Sequence, residues 1–112
     1  MARMSEIPTV SVDEIPDDAL VVDVREHDEF AAGHAPGAIH LPMGDVPARL
    51  DEVPITDESL PVICRTGSRS GRTVQWLVMQ GFDVVNVDGG MQAWKRQGKA
   101  MAAEGDGEPT VL

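Results

Sequence analysis

The chain of 112 residues contains a single cysteine, Cys64, so it has no internal disulfide framework and no multi-cysteine zinc site. Basic residues are also scarce: nine Lys and Arg stand against nineteen Asp and Glu, a formal charge of -10. Nucleic acid is therefore not an expected partner, because phosphate binding rests on a cationic surface. Aromatic residues make up only 4%. No apolar run approaches the ~18 residues of a membrane span. The opening stretch, Met1 to Val10, lacks the charged-then-apolar order of an export signal, and the expected address is a reducing cytoplasm.

The remaining composition is that of a folded domain, 42% apolar and 25% charged. Its charges are unevenly placed. Residues 1–60 carry fourteen acids and three bases, whereas residues 61–112 carry five acids and six bases. No acid occurs between Glu58 and Asp83, and Arg65, Arg69 and Arg72 follow directly on Cys64 inside that window. Short apolar runs alternate with short amphipathic ones, punctuated by Gly and Pro. Strands are expected at Thr9–Ser11, Leu20–Val24, Ala38–Leu41, Pro61–Cys64 and Asp83–Val87. Helices are expected at Glu26–Ala32, after a cap at Asp45 with Val46 and Leu50 inward, at Ser70–Gln80 with Val74, Leu77 and Val78 inward, and at Met91–Gln97. This alternation predicts one α/β domain over 1–98, a mainly parallel five-stranded sheet with helices on both faces. Residues 99–112, rich in small, acidic and turn-forming types, are expected to form a mobile tail.

Cys64 ends an apolar strand and precedes Arg65-Thr66-Gly67-Ser68-Arg69 and then a helix. Ligands of open α/β sheets bind at the carboxyl ends of strands. Gly67 lets the loop curl so that backbone N–H groups converge above the helix start, a cradle for a thiolate or an incoming anion. Lowering a thiol from about 8.5 to about 6.5 takes roughly 2.7 kcal/mol, while a helix N-terminus gives about 0.3–1 kcal/mol. Loop amides together with Arg65 and Arg69 are needed for the rest. The bland alternative is that Cys64 is a buried small hydrophobe; the glycine, the arginines and the helix start argue instead for a nucleophile acting on an anion.

Beyond this loop, the chain carries Val22-Asp23-Val24-Arg25 followed by Glu26 and Phe30, then Gly33-His34-Ala35-Pro36-Gly37-Ala38-Ile39-His40-Leu41-Pro42, Gly81-Phe82 and Gly89-Gly90-Met91-Gln92-Ala93-Trp94. With these motifs in this order over about residues 7–98, it resembles the rhodanese family, specifically its single-domain sulfurtransferases. The resemblance implies a Cys64 thiolate that takes the outer sulfur of thiosulfate or another sulfane donor. The resulting persulfide hands it to cyanide or a thiol, without metal or organic cofactor. It further implies that Arg65, Thr66, Gly67, Ser68 and Arg69 enclose the substrate, with Arg65 and Arg69 touching the donor's anionic group. A protein sulfur donor or acceptor is a second kind of partner, which would make the chain a sulfur-carrier module; oligomeric state is not fixed by the sequence. The enzymatic rival is a cysteine-dependent phosphatase or arsenate reductase. Those loops place five residues between cysteine and arginine; here four separate Cys64 from Arg69, and Ser70 stands where the arginine would be.

Other residues receive plainer expectations. Asp23 and Arg25 are read as structural, the carboxylate bonding loop N–H groups and the arginine pairing with a helix acid. His27, His34 and His40 have no metal-ligand spacing, and His34 is expected to fasten a turn. Trp94 is expected to anchor helix packing, Trp76 to be exposed, and Met43 and Met79 to fill gaps. Thr66 and Ser68 suit either loop hydrogen bonding or simple curvature.

Overall fold

The computed structural model describes residues 7–112. Its chain order is strand β1 (Thr9–Ser11), a 3-10 turn (Val12–Glu14), β2 (Val21–Asp23), helix α1 (His27–Ala32), β3 (Ala38–His40), a 3-10 segment (Met43–Glu52), β4 (Leu60–Ile63), α2 (Ser68–Met79), β5 (Val84–Asp88) and α3 (Gly90–Arg96). The strands form one sheet in the order β1-β5-β4-β2-β3, with every pairing parallel. This is the α/β architecture expected, and each strand lies within about a residue of its sequence position.

Both faces of the sheet are covered, which is why its strands read as unbroken aliphatic runs. Alternation along each strand divides those runs. Val22, Val24, Leu60, Val62, Cys64 and Val84 join Val74 and Leu77 of α2 and Val46 of the 3-10 segment in one core cluster. Val21, Ile63 and Val87 join Met91 and Trp94 of α3 with Val12 and Ile15 in the other. The helices that follow the neighbouring strands β4 and β5 thus leave to opposite faces. Ligands of open α/β sheets bind at the carboxyl ends of strands beside such a divergence, and Cys64 stands there, directly after β4.

Several expectations are corrected at the helices. α2 begins at Ser68, because Gly67 (φ 109°) caps it immediately before, so Ser68 and Arg69 belong to its first turn. Its inward stripe is Ser70, Thr73, Val74 and Leu77; Val78 is 43% exposed and Met79 75% exposed, so neither fills the core. Asp45 does not cap the segment after β3. That segment is a 3-10 helix from Met43, with Pro42 at its cap position and a kink at Arg49. Trp76 is half-buried against the first cluster, while Trp94 is fully buried. Among the described residues no helix is long and apolar enough to cross a membrane.

Residues 99–112 follow the surface of the domain. The Trp94 indole N–H donates to Ala100 O (2.8 Å), and Lys99 Nζ, 4.5 Å above the same ring, reaches Asp17 Oδ1 and Ile15 O. Ala102 forms an antiparallel bridge with His34, and the amides of Glu104 and Thr110 donate to Ala31 O and Ala32 O.

The Gly89-Gly90 pair lets α3 press against the chain leaving β4. Met91 N–H donates to Cys64 O (2.8 Å) and Gln92 N–H to Arg65 O (3.0 Å). A Cβ on Gly90 would lie 2.4 Å from Cys64 O, and the residue's φ is 55°. Gly90→Ala is therefore expected to cost about 1–3 kcal/mol or more and to lower the melting temperature by roughly 4 °C or more. Gly44→Ala, with open space and an ordinary φ, should stay within about 1 kcal/mol. Thermal melts of both variants check this.

Candidate active site

Cys64 directly follows β4 and is buried, on the α2 side of the sheet. Although its neighbours include aliphatic side chains, polar donors reach the sulfur. The Gly67 N–H lies 3.1 Å from Sγ and the Ser70 hydroxyl oxygen 3.2 Å from it. Two opposing influences set the acidity of the thiol. Burial is the largest single one and pushes it up. The Ser70 hydroxyl and the amides of Ser70, Gly67 and Thr66 pull it down, and together they leave it below the ordinary thiol range. The amide cradle expected from the sequence is thus present at Gly67 and Thr66, extended by Ser70.

Gly67 holds the turn in the left-handed region, where a side chain would strain the backbone. Its carbonyl accepts the Gly71 N–H (2.9 Å), starting α2, and the Asn86 Nδ2–H (3.2 Å) from β5. The same Asn86 accepts the Ser70 hydroxyl at Oδ1, 2.6 Å away. Ser70 has one proton for two acceptors, Sγ and Oδ1, so its donation to sulfur strengthens only as the sulfur becomes anionic. The sequence reading singled out neither residue as part of the site. Asn86 is a polar residue inside the Val84–Val87 run and Ser70 lies in the polar start of α2, and the 15 residues between them close only through the β4–β5 pairing.

The other loop residues divide. Thr66 and Ser68 are exposed; Arg65 and Arg69 are half-buried, and both are engaged within the chain. Arg65 Nε donates to Leu112 O (2.7 Å). Arg69 donates from Nη1 and Nη2 to the two carboxylate oxygens of Glu29 on α1, each at 2.8 Å. Glu29 and Arg69 have 39 residues between them, and local spacing gives no sign of the contact. Arg69 is the chief cause that holds the Glu29 carboxyl down at about 2.

Asp23 and Arg25, both fully buried, form a mutual pair instead of the expected bond from Arg25 to a helix acid. Arg25 Nη2 lies 2.7 Å from Asp23 Oδ2 and also donates to Gly33 O (2.7 Å), tying β2 to the end of α1. Asp23 Oδ1 takes the Arg25 backbone N–H, the loop contact expected of it. The Phe30 ring is stacked between His34 and His40, at centroid distances of 4.0 and 4.4 Å. His34 Nδ1 meets Ala35 O and His40 Nε2 meets Arg25 O, so these rings fasten the α1–β3 turn and the loop after β2. Among the described residues no group of three or more His, Cys, Asp or Glu side chains is placed to hold a metal ion. A depression of about 620 Å³, lined by Glu14, Leu20, Glu58 and Leu60 among others, contains none of the residues around Cys64.

The chain is similar to several known proteins. Residues 10–97 match the model of the rhodanese-like domain. YtwF of Bacillus subtilis is 38% identical over 100 residues, covering 87% of this chain and 96% of that protein. A sulfurtransferase of Allochromatium vinosum is 40% identical over 88 residues, covering 78% and 81%. Among solved structures, the human single-domain sulfurtransferase TSTD1 superposes with a TM-score of 0.72 at 27% identity, covering 80% of this chain and 96% of that one. The chain belongs to the rhodanese-like family. Its relatives include sulfurtransferases, the class of reaction its motifs point to.

Two outcomes follow from these hydrogen bonds. Ser70→Ala removes one donor from the sulfur, raising the thiol pKa and lowering thiolate reactivity at neutral pH about tenfold, the weight of one charge-assisted bond; the pH dependence of Cys64 alkylation measures it. The Glu29 carboxyl, depressed from 4.5 to about 2, stabilises the fold fully above pH 4.5 and loses that contribution as pH falls through about 2. Acid melts of Glu29→Gln should lack this part of the pH dependence.

Proposed function

We propose that the protein is a thiosulfate-type sulfurtransferase, moving a sulfane sulfur from an anionic donor to a thiol or cyanide through a persulfide on Cys64. The observation that carries this reading is the set of donors on Sγ, the Gly67 amide at 3.1 Å and the Ser70 hydroxyl at 3.2 Å, at the carboxyl end of β4. These groups favour the thiolate, which is the attacking species. The Cys64 thiolate attacks the outer sulfur of thiosulfate; an S–S bond forms, the bond to the sulfonate sulfur breaks, and its electron pair leaves with sulfite. The persulfide's terminal sulfur then carries the negative charge, and the loop N–H groups of Thr66, Gly67 and Ser68 solvate it with water excluded. An acceptor thiolate or cyanide attacks that sulfur and restores the Cys64 thiolate, giving two half-reactions and ping-pong kinetics. Arg65 and Arg69 flank the loop as the cationic groups nearest the donor.

Loop geometry supports sulfur over phosphorus as the transferred atom. The position that would hold arginine in a wider oxyanion loop is Ser70, buried and bonded to Asn86. Aryl-phosphate hydrolysis is accordingly expected to be negligible. The protein-partnered alternative uses the same persulfide, loaded by another protein, and is supported by a relative whose name is that of a sulfur carrier, 37% identical over 97 residues.

Intact-mass spectrometry after thiosulfate treatment tests the proposal. The native chain should gain one sulfur atom, removable by a reducing thiol, and Cys64→Ser should gain none. A sulfur that persists in Cys64→Ser would overturn the assignment. Loading by a protein persulfide but never by thiosulfate would favour the carrier reading.

A further inference from the structure

A guanidinium fork is the natural chelator of an oxyanion, because its paired N–H groups match two oxygens at once. In this site the Arg69 fork is already filled. Arg69 stands in the first turn of α2, one residue before Ser70, whose hydroxyl reaches Sγ, yet both of its terminal nitrogens bond Glu29, whose side chain is only 15% exposed. The Glu29 carboxylate is fixed on its own side too, since Oε1 accepts the Glu26 N–H (3.1 Å). Arg65 is turned toward Leu112 O. Arg72 lines a separate groove of about 200 Å³ with Met43, Val46, Pro47, Thr73 and Trp76. The Arg69 charge is therefore offset by Glu29 and both ends of its fork are taken, while the groups bonded to Sγ are a neutral amide and hydroxyl.

We propose that Glu29 is a specificity-determining residue of this site, disfavouring oxyanionic sulfane donors of charge -2 and favouring persulfides that carry a single charge. The inference rests on the sulfur-transfer reading above and ranks its donors. By filling both terminal nitrogens of Arg69, Glu29 denies a dianion the bidentate grip that its two oxygens would otherwise gain there. A persulfide needs no such grip. The Cys64 thiolate attacks the terminal sulfur of R–S–SH and forms the new S–S bond. The old S–S bond breaks with its electron pair on R–S, and the proton passes to that departing thiolate to give R–SH.

The test compares the full chain with Glu29→Gln and Arg69→Gln. Thiosulfate and a small alkyl persulfide with an uncharged R group serve as donors, with one common thiol acceptor. The readout is the ratio of kcat/KM for thiosulfate to that for the persulfide. Glu29→Gln keeps the shape and an acceptor for Glu26, removes the charge and frees the fork. The ratio should rise about tenfold, mainly through a lower KM for thiosulfate. Arg69→Gln leaves the carboxylate without its partner, and the ratio should fall. A ratio that stays within twofold of the parent in both variants, because both donors lose efficiency together, would overturn the proposal and make the pair a structural tie only. Intact mass separates this from failure of the underlying reading: if neither donor puts sulfur on Cys64 in the parent chain, sulfur transfer itself is refuted.

Discussion

The contest between burial and hydrogen bonding at one sulfur atom governs this molecule. Buried without donors, Cys64 would be an inert thiol among valines. The amide of Gly67 and the hydroxyl of Ser70 change that outcome, and both are aimed by backbone geometry that the rest of the fold maintains. Gly67 takes a positive φ, α2 starts immediately after it, and Asn86 of the adjacent strand holds the Gly67 carbonyl and the Ser70 hydroxyl together. The site is therefore made from three consecutive layers of structure: a strand end, a turn and the neighbouring strand.

Two further constraints keep this arrangement in register. On one side, α3 packs its first turn onto the carbonyls of Cys64 and Arg65, an approach only glycine allows at position 90. On the other, the buried Asp23–Arg25 pair ties β2 to Gly33 at the end of α1, and α1 in turn presents Glu29 to Arg69. Breaking a buried pair of this kind by removing one partner is costly, about 3–5 kcal/mol, because the other charge is left unpaired. The net charge of -10 bears little on the site, since screening beyond ~8 Å leaves nearby groups in control.

Much of this was legible in the sequence because it is encoded locally. Aliphatic runs such as Leu20-Val21-Val22 and glycines at helix ends mark the sheet and its punctuation, and Cys64 with Gly67 marks the loop. Val78 and Met79 were misplaced because the apolar stripe of α2 ends at Leu77, and hydrophobicity alone does not reveal a solvent-facing last turn. Asp45 was misread because Pro42 and Met43 start a 3-10 helix before it. Glu29, Ser70 and Asn86 escaped for a different reason. Each acts through a partner 16 or 40 residues away, so its role exists only after the strands have paired and α1 has been brought beside α2. Arg65 and Arg69 read as open cations in the sequence; in the fold they bond Leu112 O and Glu29.

The account stands on the ionisation of Cys64, and the rate of its alkylation as a function of pH measures this most directly. It predicts an inflection below that of an ordinary cysteine. An inflection at or above that value would mean that burial outweighs the loop donors, and it would contradict the central claim.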